Sequence, residues 1–233
     1  MSRTSLLSCK LFPGICATLL LSLPHSIYPE SANPASRSFR VVLPAPPPPE
    51  GLFYVQDKDP VPVSGLKPNA FSAPCAYIGP DEFTLFTAGT EPDAPVELAR
   101  VRFPDTGDRF LTLLIPKADE EDTGYEVLVL EDSEKAFPFP SFLVVNLHRA
   151  HLSVQLSEKP VILAAKAVHL FETQANHYNL RLAVPGKRPG EWRTLYDNFF
   201  PNWKDKRNLV ILREQLVDGK SRILPILITD DRN

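Results

Sequence analysis

The chain reads as an all-β protein: an antiparallel β-sandwich with immunoglobulin-like or Greek-key connections and about ten or eleven strands. Three observations predict this. Short apolar runs with two-residue periodicity follow one another from Val96 to Leu182, turn-forming residues separate them at regular intervals, and no segment sustains a convincing helical period. A closed barrel is the alternative. An outer-membrane barrel fits poorly, because its strands run about ten residues and alternate strictly, whereas several strands here are short and apolar on both faces.

Residues 53–55, 72–78 and 83–86 make brief strands, and the prolines at 60, 62, 68, 74 and 80 predict an irregular opening region or edge strands. In 96–103, Val96 and Leu98 share a face, but Ala99, Val101 and Phe103 continue out of phase, as a β-bulge would produce. Residues 110–115 are apolar on both faces and read as a central strand. With 125–130 they complete an expected meander. Residues 142–147 form a buried strand broken only by Asn146, and Leu152, Val154 and Leu156 alternate with polar residues in a half-buried one.

Residues 161–171 are ambiguous. Ala164, Ala165 and Ala167 favour a helix, while Pro160, Val161, Ile162 and Val168 favour a strand pair or one bent strand, which is the preferred reading. Residues 179–184 alternate cleanly, 192–196 make a further candidate strand, and 197–207 read as a polar and aromatic connection. The last hairpin, 208–229, turns at Asp218-Gly-Lys220. Pro225 lacks a ladder donor, which predicts an edge or a bulge there. No repeat of 20 to 50 residues is visible.

The N-terminal region has a different composition. Residues 1–10 carry Arg3 and Lys10 and no acid, and 11–23 are almost wholly apolar, the order expected of a secretory signal peptide over 1–26. The cleavage point is poorly marked, so an uncleaved anchor is the other reading, although the apolar run is shorter than the roughly 20 residues of a transmembrane span. Residues 27–50, with Leu43-Pro-Ala-Pro-Pro-Pro-Pro-Glu50, read as a stiff proline-rich linker. The body is then 51–233, either one sandwich or two small packed sub-domains.

Cys9 and Cys16 fall in the signal, leaving Cys75, which excludes an intramolecular disulfide and reads as a small buried residue. Cleavage before Glu30 would remove two of the 25 basic residues and leave 28 acidic ones, a net charge of about −5. A mildly acidic surface of well-mixed charge gives no electrostatic reason to bind nucleic acid or an anionic membrane, and Lys204-Asp-Lys-Arg207 is only a local basic patch.

Motifs for chemistry are sparse. His148 and His151 would face each other across a two-residue hairpin and offer two metal ligands, but no third lies nearby. Asp105/Asp108 and Asp119-Glu120-Glu121-Asp122 supply carboxylates without a calcium-loop spacing. Gly-x-Ser-x-Gly and His-Glu-x-x-His are absent. No catalytic residue, metal site or cofactor is therefore assigned. The aromatic set Trp192, Tyr196, Phe199, Phe200 and Trp203 has the most functional promise: its rings either plug one end of the sandwich or form a binding platform.

The run Phe137-Pro-Phe-Pro-Ser-Phe-Leu-Val-Val-Asn-Leu147, the 152–156 strand and Lys206-Arg-Asn-Leu-Val-Ile-Leu212 resemble uncharacterised exported β-sandwich proteins of the Verrucomicrobia and their relatives. The likeness runs from Val96 to the C-terminus. It implies export and fold, and transfers no activity or site. In that pattern the proline before Ser141 turns the chain into a core strand, and the Asn146 amide satisfies backbone groups at the strand end.

The expectation is a non-enzymatic exported protein, periplasmic, outer-envelope or secreted, with a structural or protein-recognition role and an envelope protein as partner. The alternative is a glycan-binding module that uses the aromatic set.

Overall fold

The computed structural model describes residues 36–44, 49–89, 95–117, 124–156, 158–174 and 176–232. The signal peptide expected over 1–26 and the linker residues 27–35 and 45–48 lie outside these, as does the acidic run 119–122.

The described residues contain sixteen strands and no helix. The first eight are β1 (Ser36–Val42), β2 (Phe53–Gln56), β3 (Asp59–Pro62), β4 (Cys75–Ile78), β5 (Glu82–Thr87), β6 (Val96–Arg102), β7 (Arg109–Pro116) and β8 (Tyr125–Glu131). They form two sheets, β4-β1-β7-β8 and β3-β2-β5-β6. Alternation along each strand sends one set of side chains inward, where Phe39, Tyr54, Tyr77, Phe83, Phe103 and Phe110 make an aromatic core. Tyr77 stacks on Phe83 at 4.5 Å and Phe103 on Phe110 at 4.7 Å.

The second eight are β9 (Ser141–Asn146), β10 (Leu152–Gln155), β11 (Val161–Leu163), β12 (Val168–Glu172), β13 (Asn176–Pro185), β14 (Trp192–Asn202), β15 (Lys206–Val217) and β16 (Lys220–Asp231). Their sheets are β12-β9-β15-β16 and β11-β10-β13-β14, closed on a mainly aliphatic core around Phe142, Val144, Leu180, Leu182 and Val210. Taken eight at a time, the strand order is the same in both sandwiches.

The sequence carries the same duplication. β1 and β7 pair in parallel with Ser38 opposite Arg109, and β9 and β15 pair in parallel with Ser141 opposite Arg207. Around these anchors, Ser38-Phe-Arg-Val-Val42 matches Ser141-Phe-Leu-Val-Val145. Arg109-Phe-Leu-Thr-Leu-Leu114 likewise matches Arg207-Asn-Leu-Val-Ile-Leu212. The repeat is about 100 residues long, well outside the period sought in short-repeat proteins.

The two sandwiches join through equivalent faces. Leu111, Leu113, Leu128 and Leu130 on the outer side of the β1 sheet meet Leu143, Val145, Val168, Leu209 and Ile211 on the outer side of the β9 sheet. Both central strand pairs are thus buried on two faces, which is why residues 110–115 and 142–147 read as continuous apolar runs.

Other expectations need correction. Sixteen strands replace ten or eleven: β1 and the proline-bearing β3 had no strand pattern, and 161–171 divides into two strands. Residues 36–42, assigned to the linker, form a central strand whose Phe39 and Val41 are fully buried. The meander does not form: the chain crosses sheets at 104–108, so only β7 and β8 are neighbours. Residues 197–202, read as a connection, extend β14 because Asp197 faces Arg181 across the ladder. The bulge in 96–103 is present, with Leu98 unopposed, and 161–171 is a strand pair. Pro225 lies on the edge strand β16.

Candidate functional site

Eight strands edge the four sheets: β3, β4, β6, β8, β11, β12, β14 and β16. An unpaired edge is a template for another strand, and proteins defend such edges with prolines, bulges, charges or short length. Here β3 carries Pro60 and Pro62, and β16 carries Pro225. β6 is bulged at Leu98 and charged, and β14 is bulged at Leu195. β4, β11 and β12 have 4, 3 and 5 residues. Only β8 among the described edges, Tyr-Glu-Val-Leu-Val-Leu-Glu, is seven residues long with no proline and no bulge.

The direction of its backbone follows from the ladder. Asp132 N–H donates to Arg109 at 2.7 Å and Lys117 N–H to Gly124 at 3.2 Å, so the even-numbered residues between bond to β7. Tyr125, Val127, Val129 and Glu131 therefore turn their N–H and C=O groups to the open edge. The duplicated strand differs at this point. Val127 stands opposite Leu114, and Pro225 opposite the equivalent Leu212. Leu212 accepts from Leu147 N–H on the β9 side, so Pro225 faces outward too. One sandwich closes its edge with a proline at the register where the other presents Val127.

Beside the β8 edge lies a groove of about 510 Å³, lined by Val127, Val129, Phe103 and Pro104 with Arg100, Arg102 and Asp105 as its charged groups. Arg100 is exposed and bonds Glu97 at 2.8 Å, holding that carboxyl below its usual range. Arg102 is exposed and has no ion-pair partner among the described residues.

Ion pairs reach β8 at both ends. At its start, Glu126 takes Lys166 of the second sandwich at 2.6 Å. Past its end, Asp132 accepts from Arg40 at 2.9 and 3.0 Å and from Arg207 at 2.5 Å, while Asp230 accepts from the same two arginines at 2.8 to 2.9 Å. The Arg207 and Asp132 side chains are each 3% exposed. Arg40 lies 4.3 Å above Phe71 and Arg207 4.5 Å above Phe137. Burial works against charge on both Asp230 and Arg40. Their mutual attraction outweighs it, leaving the Asp230 carboxyl below its usual range and the Arg40 guanidinium above. Asp132 and Asp230 occupy equivalent positions after the paired strands, so the cluster lies on the duplication's own seam.

The aromatic set divides. Tyr196 and Phe200 face the second core, 6.2 Å apart. Phe199 points outward and is 69% exposed; Trp203, 52% exposed, lies past the strand end beneath Lys206. Trp192, 42% exposed, lies at the opposite end of β14, roughly 35 Å from Trp203 at strand rise. Phe199 keeps polar company: Asn179 stands opposite it, and Arg181 pairs with Asp197 at 2.9 Å on the same face. Hydrogen bonds from Asn179 and Arg181 hold the Asp197 carboxyl below its usual range.

β9 and β10 belong to different sheets, so His148 and His151 do not face each other across a hairpin. His148 Nδ1 accepts from Ala150 N–H at 3.0 Å, and His151 is exposed. No group of three metal-ligating side chains occurs among the described residues. Asn146 has the role expected for it: its amide donates to Ala150, Leu163 and Ala164 at 2.9 to 3.1 Å and accepts from His148 N–H. Cys75 is free and buried, and desolvation pushes its thiol up to about 11. No helix among the described residues is long and apolar enough to cross a membrane.

No family model matches this chain, and no curated protein matches it. The open β8 edge, found from sheet neighbours rather than residue type, was missed by sequence reasoning; the contrast between Val127 and Pro225 was its one available signal.

Proposed function

We propose that this chain is a non-enzymatic recognition protein of the cell envelope that takes an extended segment of a protein partner as an added strand along β8. The observation that carries this reading is an edge with neither proline nor bulge, its charges Glu126 and Glu131 only near its ends, set against the proline at the equivalent register of β16. Strand addition draws affinity from main-chain hydrogen bonds and specificity from pockets for alternate side chains. Val127 and Val129 supply the apolar side of the groove and Arg102 its unpaired cation, while Arg100 is tied to Glu97 and Asp105 stands on the same rim, so the matching segment alternates apolar and polar residues with an acid placed at Arg102. The buried Asp132 anchor past the end of β8 keeps that end of the template ordered before binding, which lowers the entropy cost of association. The envelope location rests on the charged-then-apolar order of residues 1–23.

The test titrates a labelled seven-residue peptide of alternating glutamate and valine into the full chain by fluorescence anisotropy. Binding is expected, with loss in Val127→Pro at nearly unchanged melting and at least tenfold weakening in Arg102→Glu. Equal binding by Val127→Pro overturns the reading. So does a chain already dimeric through β8, with Val127→Pro giving the monomer.

A second reading is favoured by Phe199. A flat exposed ring beside Asn179, Arg181 and Asp197 on the outer β13–β14 face is suited to stacking on a sugar. Soluble polysaccharide then perturbs the protein's fluorescence, and Phe199→Ala abolishes the change without altering melting.

A further inference from the structure

Charge is divided unevenly along the chain. Residues 36–136 hold nine Lys and Arg against eighteen Asp and Glu, while 137–233 hold fourteen against nine. The whole-chain average conceals this, so the expectation of a well-mixed surface does not hold. Much of the basic excess gathers at one end of the second sandwich. β14 runs into the turn at 203–205 and β15 leaves it, so the β13–β14 and β15–β16 turns each lie one strand length, about 35 Å, from it. β9 is parallel to β15, which brings the 147–151 loop to the same end. There Ser221, through a hydrogen bond, and then the charges of His148 and Arg149 hold the Glu214 carboxyl low.

Lys187, Arg188 and Arg193 line the first hairpin turn, Lys220 and Arg222 the second, and Arg149 the loop; against these six cations the same end carries three exposed acids, Glu191, Glu214 and Asp218, so cations stay in excess. All six cations are exposed, and none has an ion-pair partner among the described residues. Each hairpin also ends in an exposed apolar side chain. Trp192 is 42% exposed and Leu216 78%, the latter next to a tight turn with Asp218 at φ +50° and Gly219 at φ +70°. Cations alone serve any polyanion. A leucine on a protruding hairpin does nothing for a soluble one, whereas apolar tips ringed by cations match the headgroup layer of a membrane.

We propose that this end of the second sandwich docks on an anionic lipid bilayer, with Leu216 and Trp192 entering the headgroup layer and the six cations facing lipid phosphates.

The test sediments the full chain with vesicles of phosphatidylcholine containing about 30% phosphatidylglycerol, and with phosphatidylcholine alone. At least tenfold more protein on the anionic vesicles is expected, with release in about 0.5 M salt. Leu216→Ser and Trp192→Ser each lower binding several-fold at unchanged melting, and Lys187→Glu with Arg188→Glu abolishes it. Equal binding to both vesicles, or none, overturns the proposal. It also fails if charge reversal releases the protein while Leu216→Ser does not, the signature of a general polyanion site. None of these results bears on the β8 edge, which lies in the other sandwich.

Discussion

Asp132→Ala probes the contact that holds β8 in place. In the folded chain Asp132 accepts three hydrogen bonds, two from Arg40 and one from Arg207. Two arginines and two aspartates balance in charge, and the substitution leaves one positive charge in excess at a site where Arg207 is 3% exposed. Breaking a buried pair by deleting one partner costs about 3 to 5 kcal/mol, most of it from the stranded charge. At roughly 2 to 4 °C per kcal/mol for a domain of this size, melting falls by about 6 to 20 °C. The companion variant, Arg40→Leu with Asp132→Leu, keeps Arg207 paired with Asp230 and restores charge balance, and Leu143 is the residue that the duplication places at the position of Arg40. It therefore destabilises less than Asp132→Ala alone. Thermal melts at pH 7 decide the matter. A loss under 1 kcal/mol for Asp132→Ala, or a double variant worse than the single, refutes the reasoning.

Thr112 is fully buried with its hydroxyl unpartnered, and its duplicated counterpart is Val210, so Thr112→Val raises stability by about 1 kcal/mol in denaturant titration; a loss contradicts this. The depressed Asp230 carboxyl stabilises the fold above its unfolded pKa of about 4, and that contribution disappears as pH falls through the folded value. Melting measured from pH 6 to pH 2 should therefore drop more steeply for the native chain than for Asp230→Asn. Cys75, with its thiol at about 11 and its side chain buried, should resist a thiol reagent at pH 8 until the chain unfolds; prompt modification of the folded protein would contradict its burial.

The sequence-based reading was strongest where one physical rule acts alone. Alternation exposed β10 and β13, continuous apolar runs exposed β7 and β9, and the missing donor of Pro225 marked β16 as an edge. It was weakest where tertiary neighbours decide. β1 was hidden because prolines flank residues 36–42, although Phe39 and Val41 are core residues. The end of β14 was hidden because Asp197 and Asn198 look like loop residues, and only the Arg181 ladder partner makes them a strand. The aromatic residues were grouped by type, while the faces of β14 sort them into core and surface. The duplication was missed because little beyond Ser-Phe-x-Val-Val and the Arg-led strand survives in both copies. An open edge carries no positive mark in sequence: Val127 looks ordinary until Pro225 is seen at its counterpart.

The most direct test of strand addition on β8 is residue-resolved amide hydrogen exchange by NMR, with and without the glutamate–valine peptide. The account predicts slowed exchange at Val127 and Val129, whose N–H groups face the open edge, and little change at Leu128, already bonded to β7. Unchanged exchange along β8, or protection appearing on β16 instead, would contradict it.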